Sequence, residues 1–290
     1  MIPQTMTDGF RIWYLPVYDI DQLTDKFNFE SPVNVNTGEV MKNVKRLYYK
    51  GLFVYIKNEN CSLRGSMPKY YNNGKDNSNN FTYYDIIKTI DSLSSEFNFD
   101  PFKARLNKIE FGVNIDLSYG IDLLLDSIIE SYKYKPLDRY YDDNKIQIIG
   151  YECKMQKCRF KIYNKSEQLK LPGNILRIEI STEKMQFLGS KGIQLNTLGD
   201  LYNPNIYSKL KEPLINMLSN LMIFDKTMVG VKFESPYLYG KFWRNIKADK
   251  HKRDYHLKKF KKIAEETGAN WMQKELIRLV SEKWDQLCDF

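Results

Sequence analysis

The fold is decided by two segments, Cys158-Arg-Phe-Lys-Ile-Tyr-Asn-Lys-Ser-Glu-Gln168 and Asn174-Ile-Leu-Arg-Ile-Glu-Ile180. Apolar and polar residues alternate in both of them, which is the pattern of half-buried β-strands. We therefore predict strands near residues 157–164 and 174–182. Further strands and helices are predicted on either side of this pair of strands.

The alternation also predicts which side chains share a face of each strand. Tyr163, Lys165 and Glu167 fall on one face of the first strand. Arg177 and Glu179 fall on one face of the second. If the two faces coincide, a phenol, an ammonium, a guanidinium and a carboxylate meet on one surface. That set suits a reaction at a phosphodiester, because a phenol can attack phosphorus, cations can neutralise oxyanions and a carboxylate can hold a divalent metal.

Short stretches outside these segments predict further strands and helices. β-Branched and aromatic residues are enriched in four stretches that we predict to be strands, 10–17, 46–56, 106–117 and 146–151. Thr82 and Asp85 form a capping-box pattern at the start of one predicted helix, and a second predicted helix covers Ile121 to Tyr132. This order predicts an α+β fold, with a largely antiparallel sheet, helices on one face and the chemistry on the open face.

The C-terminal part of the chain differs from the rest in periodicity and charge. Apolar residues recur at helical spacing beyond residue 200, so we predict two domains, 1–200 and 201–290. Residues 241–262 hold ten basic residues and two aspartates, an excess equal to the net charge of +8 of the whole chain. This favours a nucleic-acid partner, although a solvated helix surface has a similar composition. Four lysines of this segment are predicted to contact DNA phosphates, Lys258, Lys259, Lys261 and Lys262.

The composition predicts an intracellular protein. The N-terminal residues lack the basic region and apolar stretch of a signal peptide. The chain has no run of about 18 apolar residues that would span a membrane. Its four cysteines include no Cys-x-x-Cys pair, which is typical of reduced thiols. We therefore expect a cytoplasmic protein that has no membrane partner.

Four short motifs resemble those of rolling-circle replication initiators of the filamentous-phage gene II/X type and, more distantly, of Rep_trans-type plasmid initiators. The motifs are Gly65-Ser-Met-Pro-Lys-Tyr-Tyr-Asn72, Leu106-Asn-Lys-Ile-Glu-Phe-Gly-Val-Asn114, Lys161-Ile-Tyr-Asn-Lys165 and Leu176-Arg-Ile-Glu-Ile180. With the segment Phe187-Leu-Gly-Ser-Lys-Gly-Ile193, the resemblance covers residues 8 to 200. Each motif is weakly specific alone, and their order and spacing carry the resemblance.

The resemblance implies that residues 1–200 nick one strand of a double-stranded origin. Tyr163 would become linked to the 5′-phosphate, and the freed 3′-OH would prime synthesis. Lys165 would be the partner of this tyrosine, and Arg177 would stabilise negative charge with it. Glu110 and Glu179 would hold Mg²⁺ or Mn²⁺.

The partners implied are double-stranded origin DNA, single-stranded DNA and the host replication polymerase and helicase. Two copies of the chain could also bind the DNA as a dimer. Lys69, in the first motif, is a further predicted DNA contact, and residues 201–290 are the predicted DNA-binding region.

The chain departs from the wider superfamily of such enzymes, the HUH nucleases, whose palm-like domain carries a His-hydrophobic-His metal motif. The two histidines of this chain, His251 and His256, lie in the basic C-terminal segment. The expected fold is therefore an HUH-nuclease-like palm that lacks the histidine motif. Carboxylate oxygens remain suitable ligands for hard cations such as Mg²⁺ and Mn²⁺.

The predicted nucleophile has alternatives. Tyr163 is one of 21 tyrosines, and a strand tyrosine commonly packs its ring in the core. Tyr140 and Tyr141 are rival nucleophiles, because some initiators of this kind use two tyrosines. They lie in residues 138–143, Asp-Arg-Tyr-Tyr-Asp-Asp, which we predict to be a polar turn.

The predicted ligands and contacts also have alternatives. Cross-strand charge pairing would explain Glu110 and Glu179 without a metal. Asp116 and Glu167 are weaker metal candidates. The Asn-rich stretch 72–80 is predicted to be an exposed loop that either reaches DNA bases or has no function.

Three functions compete with a nicking initiator. The first is a non-catalytic, sequence-specific DNA-binding or replication-control protein on the same scaffold. The second is a mobilisation relaxase, against which the absence of a histidine cluster and of an attached helicase domain argues. The third is an RNA-binding module, for which no aromatic signature of an RNA-recognition motif is found.

Overall fold

The computed structural model describes residues 7–15, 19–58, 60–75, 81–131, 135–141, 144, 146–229 and 235–288. The chain forms two compact units. The first consists of residues up to 112, 181–210 and those after 285, and the second of 113–180 and 211–285. The predicted division into domains 1–200 and 201–290 stays a prediction.

The strands and helices of the described residues alternate in an α+β order. The strands are β1 Thr7–Leu15, β2 Val44–Tyr49, β3 Leu52–Lys57, β4 Asn60–Ser66, β5 Arg105–Asp116, β6 Ile128–Glu130, β7 Asp138–Tyr141, β8 Ile148–Lys154, β9 Cys158–Asn164, β10 Ile175–Thr182 and β11 Met222–Ile223. The helices are α1 Ile20–Lys26, α2 Met67–Tyr71, α3 Tyr83–Phe97, α4 Ile121–Ser127, α5 Lys165–Leu169, α6 Gln186–Gly189, α7 Asn205–Ser219, α8 Gly240–Ile246, α9 Lys250–Glu266 and α10 Trp271–Leu287.

Antiparallel pairing dominates the sheet, as predicted. In the first unit the strands follow the order β2-β3-β4-β1-β5, and each of these neighbours runs antiparallel. In the second unit the order is β5-β10-β9-β8-β7, with β7, β8 and β9 antiparallel. β5 and β10 cross the boundary between the units along the chain, so each contributes residues to both. The predicted α+β fold is confirmed.

The helix α3 covers one face of the first unit's strands. Its predicted capping box is present, because Thr82 accepts from the backbone of Asp85 and the Asp85 carboxylate accepts from the backbone of Thr82. Glu96 near its C-terminus accepts a hydrogen bond from Tyr49 at the end of β2, at 2.5 Å. Leu52 is the cross-strand partner of Tyr49, and it is buried. The side chains on this face of the strands therefore form the core.

Three sequence predictions of local structure are wrong. The stretch 46–56 is a hairpin, β2 and β3, because Lys50 and Gly51 both have positive φ, at 48° and 83°. Such backbone angles turn the chain sharply. The helix from Ile121 ends at Ser127 and is followed by β6. Residues 138–141 form β7 where a polar turn was predicted, and 142–143 lie outside the described residues, as do 16–17 and 76–80.

The helices of the second unit have their own core. Trp243 of α8 and Phe260 of α9 are buried in it, with ring centroids 5.6 Å apart. Arg244 donates to the buried carboxylate of Glu130 at 2.7 Å, and this ion pair links α8 to β6. Phe260 recurs at helical spacing with Leu257 and Ile263, so the helical periodicity predicted beyond residue 200 is confirmed for α9. None of the described helices combines the length and apolarity needed to cross a bilayer.

The hairpin turn provides a test of the first unit. We expect Gly51→Ala to lower the free energy of unfolding by at least about 1 kcal/mol, because alanine tolerates positive φ poorly. The added Cβ would also lie 2.7 Å from Cβ of Lys69. Gly189→Ala is the control, since no atom would meet its Cβ within 4 Å. Urea unfolding followed by circular dichroism measures both variants, and unchanged stability of Gly51→Ala would contradict this turn geometry.

Candidate active site

Two of the candidate tyrosines pack together in the second unit. Gly150 of β8 pairs in register with Tyr140 of β7 on one side and with Tyr163 of β9 on the other. The centroids of the two tyrosine rings lie 4.8 Å apart, with the planes inclined by 44°. The structure thus places the predicted nucleophile and its rival side by side.

A glycine between the two tyrosines makes this packing feasible. A Cβ on Gly150 would lie 2.2 Å from the carbonyl oxygen of Ile162 and 2.5 Å from Cα of Tyr163. These are backbone atoms, which cannot rotate away as a side chain would. Glycine is used where another backbone approaches this closely. Any larger residue would therefore displace β8 from β9 beneath the rings.

A buried ion triad lies on the same face of β9 as Tyr163. Lys161 is two residues before Tyr163 and so points to the same side of the strand. Its Nζ atom donates to Oε1 of Glu179 at 2.7 Å, and Nε of Arg177 donates to Oε2 at 3.0 Å. Arg177 also donates from Nη1 to Oδ1 of Asn114 on β5, at 3.3 Å. The predicted coincidence of the two strand faces is therefore found for Tyr163, Arg177 and Glu179.

Two members of the triad are almost completely removed from solvent, and the side chain of Lys161 is 14% exposed. Arg177 is 1% exposed and Glu179 is 2% exposed. Burial alone raises the pKa of Glu179, but the charges of Lys161 and Arg177 outweigh it and lower that pKa from 4.5 to about 2. The carboxylate is thus ionised at neutral pH. Two cations share one carboxylate, which leaves the group with a net positive charge.

The cations lie close to both tyrosine rings. Nζ of Lys161 is 5.5 Å from the centroid of the Tyr140 ring. Nζ of Lys165 is 5.9 Å from the centroid of the Tyr163 ring. At these distances an ammonium is attracted to the ring. Lys165 is 5% exposed, and it donates to Gln168 at 2.8 Å.

The predicted strand face containing Lys165 and Glu167 is wrong. β9 ends at Asn164, whose side chain accepts from the backbone N–H of Glu167 at 2.9 Å and so caps the helix α5. The period of the chain changes from two to about 3.6 residues at this cap, so the parity of the strand does not continue. Lys165 still reaches the ring of Tyr163, from the first turn of α5. Glu167 pairs with Lys170 instead.

The second predicted metal ligand, Glu110, lies in the first unit. Its carboxylate pairs with Lys108 at 3.1 Å and accepts from the hydroxyl of Ser181 at 2.9 Å. Gly9 of β1 leaves room for it, since a Cβ there would lie 2.6 Å from Oε2 of Glu110. The weaker candidate Asp116 is exposed at the end of β5.

The arrangement around Glu179 does not fit a metal ligand. One of its oxygens contacts Lys161 and the other contacts Arg177, and a divalent cation would have to displace these like charges. Within the described ranges, no three His, Cys, Asp or Glu side chains group closely enough to hold a metal ion. The metal prediction for Glu179 thus gains no support, and this carboxylate holds the two cations in place.

The lysines predicted to contact DNA are exposed. Lys69 lies in α2, where its backbone N–H is capped by the hydroxyl of Ser66 at 3.3 Å. Four exposed lysines lie along α9, Lys258, Lys259, Lys261 and Lys262. Their positions are compatible with phosphate contacts, and their role stays a prediction.

Comparisons with known proteins give one finding. No protein-family profile matches the chain, and no curated protein matches it. Among solved structures, the chain is similar to a rolling-circle replication initiator protein from Geobacillus stearothermophilus, with 12% identity. The match covers 85% of this chain and 96% of that chain, at a TM-score of 0.41. That protein is of the class that the four sequence motifs resemble.

Three residues of the site were missed by sequence reasoning. Lys161 stands in the Lys-Ile-Tyr-Asn-Lys motif, and its parity with Tyr163 is the signal that would have identified it. Asn114 is the last residue of the motif that contains Glu110. It lies four residues after Glu110, so both residues fall on the same face of β5. Gly150 has no local signal, because its importance depends on which strands lie beside β8.

Removing the charge of Glu179 tests how much the ion triad contributes to the stability of the fold. We expect Glu179→Gln to lower the free energy of unfolding by about 3 kcal/mol or more, because it leaves two cations without their buried counter-charge. Glu110→Gln is the control, since its carboxylate is partly exposed and such a pair is worth about 1 kcal/mol or less. Denaturant unfolding at neutral pH measures both, and equal losses would contradict the special status of Glu179.

The same triad determines part of the acid stability. The folded-state pKa of Glu179 is lowered to about 2, so its contribution to stability is present above its ordinary value of 4.5 and is lost as the pH falls towards 2. Wild-type stability should therefore decline in this window more steeply than that of Glu179→Gln. If the free energies of unfolding of the wild type and Glu179→Gln fall equally steeply with pH in this window, the triad is not the cause.

The glycine beneath the tyrosine pair gives a further test. We expect Gly150→Ala to cost at least about 2 kcal/mol and to change the near-ultraviolet tyrosine signal, because its Cβ meets the backbone of β9. Gly120→Ala, at an open position in the same unit, should leave that signal unchanged. A wild-type spectrum for Gly150→Ala would disprove the close approach of β8 and β9.

Proposed function

We propose that this chain is a rolling-circle replication initiator that nicks one strand of origin DNA with a tyrosine nucleophile. The observation that carries the proposal is the tyrosine pair, Tyr163 and Tyr140, beside Lys161, which shares the buried carboxylate of Glu179 with Arg177. Nucleophile and cations are the two components that attack on a phosphodiester requires. The order of the four sequence motifs supports the same function.

In the proposed step, the hydroxyl oxygen of Tyr163 attacks the scissile phosphorus. A bond forms between that oxygen and phosphorus, and the bond between phosphorus and O3′ breaks. The tyrosine gives up its proton to solvent or a basic group, and the leaving O3′ takes one up. The products are a 5′-phosphotyrosine link and a free 3′-OH. A phenoxide is a moderate leaving group, so the reverse reaction can reseal the strand.

The cations supply the electrostatic part of the reaction. Lys161 and Arg177 are held by Glu179 in the protein without DNA, so in this proposal their positive charge is already in place when negative charge builds on the phosphate. Lys165 lies 5.9 Å from the centroid of the Tyr163 ring, so it adds positive charge beside the proposed nucleophile. These three residues are the cationic machinery in this proposal, with Glu179 as the positioning residue.

One observation favours the runner-up function. Tyr163 is 4% exposed, as a tyrosine packed in a sheet would be. The exposed lysines of α9 would bind DNA equally well in a protein that does not cut it. A non-catalytic, sequence-specific DNA-binding protein of replication control is therefore the alternative.

Formation of a covalent protein–DNA adduct separates these functions. The purified chain is incubated with labelled single-stranded oligonucleotides tiled across the replicon that carries its gene, with Mn²⁺, and resolved on denaturing gels. We expect an adduct with the wild type and its loss, by at least about 100-fold, in Tyr163→Phe. Tyr140→Phe should slow the reaction and keep the adduct. Tyr84→Phe, in the first unit, is the control and should behave as wild type.

Each outcome has a distinct meaning. An adduct lost in Tyr140→Phe and kept in Tyr163→Phe would transfer the nucleophile to Tyr140. DNA binding by the wild type without any adduct would support the non-catalytic alternative. Parallel reactions with EDTA and with Glu110→Gln test the predicted dependence on Mg²⁺ or Mn²⁺.

A further inference from the structure

A line of five side chains crosses the first unit on the face away from α3. Cross-strand pairing joins Tyr48 of β2 to Phe53 of β3, and Phe53 to Arg64 of β4. Arg64 then pairs with Arg11 of β1, and Arg11 with Lys108 of β5. We call these five residues the aromatic–cation row. Four strand spacings of about 4.8 Å make it about 19 Å long.

The aromatic end of the row is open to solvent. Tyr48 is 63% exposed and Phe53 is 49% exposed. Tyr49, the neighbour of Tyr48, points to the opposite face, where it contacts Glu96 of α3. Large aromatic residues exposed side by side are unusual on a protein surface and mark binding sites.

The rings already make the contacts that bases would extend. The centroids of Tyr48 and Phe53 are 4.8 Å apart. The guanidinium of Arg64 lies 5.2 Å from the centroid of Phe53, and that of Arg46 lies 6.0 Å from the centroid of Tyr55. Aromatic faces flanked by arginine form the usual stacking platform for unpaired nucleobases.

The cationic end of the row carries unbalanced charge. Arg64 and Arg11 are direct cross-strand partners, and like charges in that position are unfavourable. Lys108 has a counter-charge in Glu110, at 3.1 Å. Within the described part of the chain, neither Arg11 nor Arg64 takes part in a salt bridge.

We infer that the aromatic–cation row binds single-stranded DNA, with bases stacked on Tyr48 and Phe53 and phosphates contacting Arg64 and Arg11. This inference rests on the proposed function for the presence of DNA, and it adds where the unpaired strand is held. A phosphate would relieve the repulsion between the two arginines. Base stacking requires unpaired bases, because the bases of a duplex already stack on one another.

Equilibrium binding measures the contribution of the rings. Fluorescence anisotropy is recorded with a 5′-labelled oligo-dT of 20 nucleotides and full-length protein carrying Tyr163→Phe, which prevents covalent trapping. We expect Phe53→Ala and Tyr48→Ala each to weaken binding by about tenfold. Phe53→Trp keeps an aromatic face and should bind as the parent does. Tyr84→Ala removes a similarly exposed tyrosine from α3 and is the matched control.

Salt dependence measures the contribution of the arginines. Replacing Arg64 or Arg11 by glutamine should reduce the slope of log affinity against log salt by about 0.7 for each removed phosphate contact. The folded protein without DNA should be as stable as the parent, or more stable, after Arg64→Gln, because a like-charge pair is removed. Loss of stability with an unchanged slope would assign these arginines a structural role and overturn the inference.

Photocrosslinking identifies the contact directly. An oligonucleotide containing 5-iododeoxyuridine should crosslink to Tyr48 or Phe53, as read by mass spectrometry of the digested protein. Crosslinks absent from β2 and β3, or equal affinities of the alanine variants and parent, would overturn the inference. Tighter binding of the matching RNA, or an equal loss with duplex DNA, would also contradict it.

Failure of this inference differs from failure of the proposed function. If the wild type forms the covalent adduct while Phe53→Ala binds DNA normally, the row has no role and the nicking proposal stands. If the wild type binds no single-stranded DNA, both fail together. If binding depends on the row and no adduct forms, the row is supported and the non-catalytic alternative gains.

Discussion

The candidate active site depends on one buried carboxylate. Glu179 lies in the middle of β10, and its two oxygens hold Lys161 from the neighbouring strand and Arg177 from its own. Neither cation would remain in so enclosed a position without a counter-charge, because an unpaired buried charge is costly. The carboxylate therefore determines where positive charge can be kept next to the tyrosines. Its low pKa follows from the same contacts, and it keeps the triad intact throughout the neutral range.

The tyrosine pair depends on a second constraint, the close approach of backbone at Gly150. The rings of Tyr140 and Tyr163 meet over the residue that has no side chain, so β7, β8 and β9 act as one support. Two adjacent phenols beside fixed cations give the site a redundancy that a single buried tyrosine would lack. Tyr140 is the more exposed of the two, and each ring has a lysine beside it, Lys161 at 5.5 Å from Tyr140 and Lys165 at 5.9 Å from Tyr163. Exposure thus favours Tyr140 as the nucleophile, whereas the sequence motif favours Tyr163.

Sequence reasoning recovered what depends on local periodicity and missed what depends on long-range pairing. The alternation in β9 and β10 was enough to place Tyr163, Arg177 and Glu179 on one face. It failed at Lys165, because the cap at Asn164 changes the period from strand to helix. Sequence reasoning also predicted a single strand over 46–56, although Lys50-Gly51 is a recognisable turn that divides this stretch into the hairpin β2 and β3. The polar flanks of Tyr140 suggested a turn, and only its pairing with β8 shows it to be a strand residue.

The distribution of positive charge, at the ion triad of the second unit and at the Arg11–Arg64 pair of the first, favours a polyanion as the binding partner. In the second unit, Lys161 and Arg177 share the one carboxylate of Glu179, so this group of three carries a net positive charge. In the first unit, Arg11 and Arg64 face each other across two strands at a cost to the free protein. Sheets that serve only as scaffolds gain nothing from such a pair. A chain with both features is better explained by a bound phosphodiester backbone than by packing alone, and single-stranded DNA also accounts for the exposed rings of Tyr48 and Phe53.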